Sequence, residues 1–175
     1  MKVFVTVSAV LAFVGLSICQ NTCTADDVLN SLTAVEHYAD KMQSVTDSSS
    51  DNIDPSAPIF KKFESQTNHF NEDLQCTFNT TPAEQTAICS AYEKFATSQL
   101  GYYHMADGRA FYEKNGHGDN AVKMHGYILQ SQHALENYTT QVKAAAALCV
   151  DRIEKAYTPL GTQLQELLEA YPRTA

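Results

Sequence analysis

Residues 81–157 constrain the fold most: two long apolar stripes at helical spacing flank Asn115, Gly116, His117, Gly118, Asp119 and Asn120, which read as the tip of a helical hairpin. The first arm opens on Thr81, Pro82, Ala83 and Glu84. There a threonine caps, a proline takes the first helical position and a glutamate reaches back to close a capping box. Ile88, Tyr92, Phe95, Ala96, Leu100, Tyr103, Ala106 and Ala110 then recur every three or four positions, as one helix face does. Met124, Ile128, Leu135, Tyr138, Val142, Ala145, Cys149, Ile153 and Ala156 repeat the spacing in the second arm. Each arm is about 33 residues, or about 50 Å at helical rise.

The flanking segments add shorter stripes. Thr24, Asp26 and Asp27 supply a cap and early acids for a helix whose face is Val28, Leu32, Val35, Ala39 and Met42. A polar, proline-punctuated connection over residues 47–58 leads to Ile59, Phe60, Phe63, Phe70 and Leu74, a second helix that Gln66 and Thr67 dilute and that ends near Cys76. Past the hairpin, Pro159 removes an amide and predicts a break or kink. Leu160, Leu164, Leu167, Leu168 and Tyr171 then restart a short helix that Pro172 stops. No stretch alternates as a strand does. The expected fold is therefore all-α: an antiparallel up-down helical bundle of four main helices plus a short C-terminal helix, in a single domain over residues 20–175.

Residues 1–19 read as a secretory signal peptide: Lys2, an apolar run over residues 3–16, and small residues before a cut after Cys19. Removing them leaves Cys23, Cys76, Cys89 and Cys149, an even set that in a secreted chain implies disulfides. A hairpin centred between His117 and Gly118 sets residue i opposite 235 − i. Cys89 then faces position 146, three residues from Cys149, an axial offset of about 4.5 Å. This register favours Cys89 with Cys149 and Cys23 with Cys76, stapling one end of the bundle, with Cys76 to Cys89 as the rival link. Asn79 and Asn137 each begin an Asn-x-Thr acceptor site for glycosylation.

Twelve basic residues against 20 acidic ones give the chain a net charge of −8, which repels nucleic acid and anionic lipid surfaces. No stable membrane insertion is expected once the signal is removed. Catalytic motifs are absent: no Gly-x-Ser-x-Gly elbow, no phosphate loop and no ordered calcium ladder occurs. The chain is not read as an enzyme, and no cofactor is expected. His104, His133 and Glu136 form the best metal constellation, because the register sets position 131 opposite His104 while His133 and Glu136 share a face. The ordinary reading of such histidines is a helix surface, and Glu-x-x-His never occurs.

An aromatic stripe carries more weight. Tyr92, Phe95, Tyr103, Phe111, Tyr127 and Tyr138, with Leu100, Met124 and Ile128, would line the hairpin interior. Tyrosine is amphipathic, so such a lining suits an apolar ligand with a polar head; it also suits a plain core. The function expected is that of a secreted, disulfide-stabilised binding protein, acting on an apolar small molecule or an extracellular protein partner. An extracellular structural or matrix protein is the alternative, and a metal-binding bundle the minority one. A lipid-surface protein ranks behind the carrier, since the polar faces lack the basic residues such helices carry.

Overall fold

A computed structural model describes residues 22–47, 66–68, 70, 74, 76–116 and 118–171, without the side chains of residues 41–47, 105, 108–116 and 118–121. The chain is predominantly helical and holds two disulfides. Strand β1 (Thr22–Cys23) leads into helix α1 (Ala25–Asp47), and strand β2 (Thr77–Phe78) into α2 (Pro82–Gly116). Helix α3 (Gly118–Ala145), a 3-10 turn (Ala147–Cys149) and α4 (Val150–Ala170) complete the order, and residues 66–68 and 70 are also helical. The signal-peptide residues and most of the second apolar stripe, Ile59, Phe60 and Phe63 included, lie outside the described residues.

Local chemistry starts the helices where the sequence places them. At α2, Thr81 donates its amide and hydroxyl to Glu84 Oε2 at 2.6 and 2.7 Å, while Glu84 returns its amide to Thr81 Oγ1 at 3.4 Å. Helix α1 uses the same box one residue type shorter, Thr24 donating to Asp27 Oδ2 at 2.7 and 2.8 Å. These bonds occupy amides that the first turn cannot pair internally. They also hold the carboxyls of Asp27 and Glu84 below their ordinary pKa.

Two expectations are corrected. The second arm does not run to residue 157 but ends at Ala145, although residues 144–147 are alanines and alanine is the best helix former. The partners that end it come from the start of the first arm. Thr80 Oγ1 caps the Ala145 carbonyl at 2.7 Å, and the Leu148 amide donates to Gln85 Oε1 at 2.9 Å. A straight arm would also overhang: under the 235 − i register, residue 153 already faces Pro82, the first residue of α2. Turning back at Ala146 buries Ile153, Leu160, Leu164 and Leu167 instead of leaving them without a neighbour.

The second correction concerns Pro159, which sits inside α4 without ending it. Its ring is on the exposed side, and the buried leucine face on the other side holds the turn. The cost is one missing amide, leaving the Lys155 carbonyl without its helical donor. The last helix is consequently 21 residues long, a full member of the fold and not the short appendage expected.

A third feature escaped the sequence altogether: β1 and β2 form a two-residue parallel pair, Thr22 beside Thr77 and Cys23 beside Phe78. It lies against the Cys23–Cys76 disulfide, whose Cα atoms are 5.6 Å apart. The other bridge joins Cys89 to Cys149 at 6.5 Å between Cα atoms. These are the two pairs that the register favoured. Closing loops of 53 and 60 residues stabilises by about 4 kcal/mol each in the chain-entropy picture.

Side-chain bonds fix how the helices sit. Tyr92 pairs with Thr139 at 2.7 Å and Tyr103 faces Ser131, so partner numbers fall along α3 as they rise along α2. Along α4 they rise with α2, since Ser90 and Glu93 both meet Arg152 while Leu100 and Pro159 line one groove. Ser31 on α1 reaches Tyr138 at 2.7 Å, and His125 Nδ1 lies 2.9 Å from the Tyr171 carbonyl. One hydrophobic core runs through all of these elements.

Candidate binding site

The aromatic interior is packed ring against ring. Phe95 lies 5.4 Å from Tyr92, 6.0 Å from Phe70 and 6.0 Å from Tyr138, and Phe70 and Tyr138 are 5.3 Å apart, centroid to centroid. These are the tilted and edge-on separations at which aromatic pairs attract. Tyr92, Phe95, Tyr103, Met124, Ile128 and Tyr138 are fully buried, Leu100 and Tyr127 are half-buried, and the Phe111 side chain lies outside the described residues. Burial pushes the Tyr92 phenol far above its ordinary pKa, against the effect of its hydrogen bond with Thr139.

Beside the rings lies a polar but uncharged layer. Gln66 Nε2 donates to Gln99 Oε1 at 2.6 Å, and the Tyr103 hydroxyl faces Ser131 and Gln99. All four side chains are fully buried. Desolvation pushes Tyr103 up to about 12 even though those hydrogen bonds pull the other way. Gln163 on α4 is buried as well, and its Nε2 has no hydrogen-bond partner among the described residues, a state that costs roughly 1–3 kcal/mol.

An open groove of about 320 Å³ runs between α2 and α4. Its apolar lining is Ala96, Leu100, Ala156 and Pro159, and its polar lining Glu93, Thr97, Arg152 and Lys155. The helical repeat explains the set: residues 93, 96, 97 and 100 share one face of α2, and 152, 155, 156 and 159 one face of α4. Arg152 grips Glu93 with Nε at 2.9 Å and Nη2 at 2.7 Å, and reaches Ser90 at 3.4 Å. This fork holds the Glu93 carboxyl below its ordinary pKa, with the charges of Arg152 and Lys155 adding to the effect. Of the aromatic-stripe residues whose side chains are described, Leu100 alone lines the groove.

The three metal candidates are not brought together. His133 Nδ1 lies 3.9 Å from Glu136 on an exposed face, and His104 is exposed on α2. No group of three or more His, Cys, Asp or Glu side chains is placed to hold a metal ion among the described residues. The register set the right level but not the rotation, since the inward residues at that level are Ser131, Ala134, Leu135 and Tyr138. The asparagines of both Asn-x-Thr sequences are exposed, Asn79 after β2 and Asn137 on α3. Thr139, two residues beyond Asn137, is buried on Tyr92 and so has a structural role of its own.

Sequence reasoning missed the charged groove residues and the buried glutamines. Two bases three residues apart in an acidic chain, Arg152 and Lys155, were a usable signal; so were Gln66, Gln99 and Gln163 within apolar stripes. No protein-family model matches the chain, and comparison with curated proteins and with solved structures gave no match either.

Proposed function

We propose that the chain is a secreted, disulfide-closed binding protein whose helices stack as an antiparallel up-down bundle, and that it holds a small apolar molecule in the groove between α2 and α4. The observation that carries this reading is the groove itself: an apolar lining between charged rims, with a volume near the low end of the 300–1,000 Å³ range typical of ligand clefts. The tight ring packing around Phe95 favours the groove over the aromatic interior. Secretion rests on residues 1–19 and the two bridges, and no helix among the described residues is long and apolar enough to cross a membrane. Glycosylation at Asn79 belongs to the same reading.

Titration of the purified mature protein with the neutral fluorophore phenylnaphthylamine tests the idea. We expect saturable binding of one molecule per chain, abolished by Thr97→Trp, which fills the groove from an exposed position. Absence of saturable binding, or binding that Thr97→Trp leaves unchanged, would reject the groove.

A further inference from the structure

We infer that the groove is selective for an apolar carboxylate, anchored by the ammonium of Lys155. This rests on the reading of the groove as a binding site and adds the charge of its occupant. Three ionised side chains line the groove, and two of them are committed to each other. Glu93 is the only acid among the described lining residues, and Arg152 takes both of its oxygens. Lys155 is exposed and makes no ion pair or side-chain hydrogen bond among the described residues. Glu154, its neighbour in sequence, is held by Lys143. Beside Leu100, Ala156 and Pro159 the described lining therefore presents an ammonium that makes no ion pair, although Glu93 feels its charge.

This arrangement discriminates among head groups. An amphiphilic amine would meet a like charge, and the one carboxylate that could receive it is already gripped in a two-bond fork, the stronger form of ion pair. A carboxylate meets an ammonium that need not leave another partner. The chain's net charge of −8 opposes any anion at long range, but at physiological ionic strength fields fade over about 8 Å, so the nearest charge decides.

Competition against bound phenylnaphthylamine, with decanoate and decanol as competitors, tests the assignment. Lys155→Met should weaken decanoate relative to decanol roughly three- to five-fold, the scale of an exposed ion pair. Lys155→Arg should retain decanoate binding. Unchanged circular dichroism of both variants would show that the fold is intact, as expected for an exposed side chain. Equal weakening of decanoate and decanol, or no weakening of decanoate, would overturn the carboxylate assignment while leaving the groove in place. Failure of both competitors on the unaltered protein would overturn the groove and the assignment together.

Discussion

Tyr103 concentrates the tension of the interior in one hydroxyl, because it is fully buried yet held among Ser131 and Gln99. Its phenol is raised from 10.0 to about 12, chiefly by desolvation. Below pH 10 the folded and unfolded chains both keep the proton, and stability is unaffected. Between pH 10 and 12 the unfolded chain releases a proton that the folded chain retains, so stability must fall as pH rises. The loss should reach roughly 2–3 kcal/mol by pH 12, and Tyr92 acts in the same direction. Denaturant melts from pH 9 to 12 should show this slope, and Tyr103→Phe should flatten part of it. An unchanged slope in that variant would mean that Tyr103 ionises normally in the folded chain. Rotation about a helix axis was the other difficulty at this scale. His133 and Glu136 were correctly paired on one face, but periodicity did not reveal that the face points outward.

Among the elements, what was legible had local causes. Thr81 with Glu84, and Thr24 with Asp27, announce their helices within four residues. One helix ends at Gly116 and the next begins at Gly118, both inside the stretch expected to turn. The break at Ala146 was not legible, because its causes, Thr80, Gln85 and Cys89, lie about 60 residues away in sequence. Propensity alone carries a helix straight through four alanines. The groove inherits that difficulty: it exists only because α4 turns back along α2, so no stripe within either helix could reveal it. Pro159 allows a direct test of how α4 is held. Pro159→Ala restores an amide for the Lys155 carbonyl, which should raise stability by roughly 2 kcal/mol. That is the helix-interior penalty of about 3 less the gain of up to about 1 that proline gives by restricting the unfolded chain. An unchanged or lowered denaturation midpoint would show that the carbonyl is already satisfied at this turn.

At the scale of the whole molecule, the helical class follows from the apolar stripes, and the Cys89–Cys149 pairing from one number, the centre of the hairpin at 117 and 118. The level at which two arms meet is set by the tip and not by their length, so Cys89 and Cys149 meet although the second arm ends twelve residues early. The two bridges also make the chain a pair of covalent rings, residues 23–76 and 89–149, joined by the strap 77–88. A protease that cuts once inside either ring leaves a single covalent piece, and the cut shows on a gel only after reduction. One cut in the strap parts the molecule into two without any reductant. Between the first and last bridged cysteines, the strap alone has this property, and it contains the exposed Asn79. Limited digestion run in paired reducing and non-reducing lanes should sort every early cut into one of these two kinds.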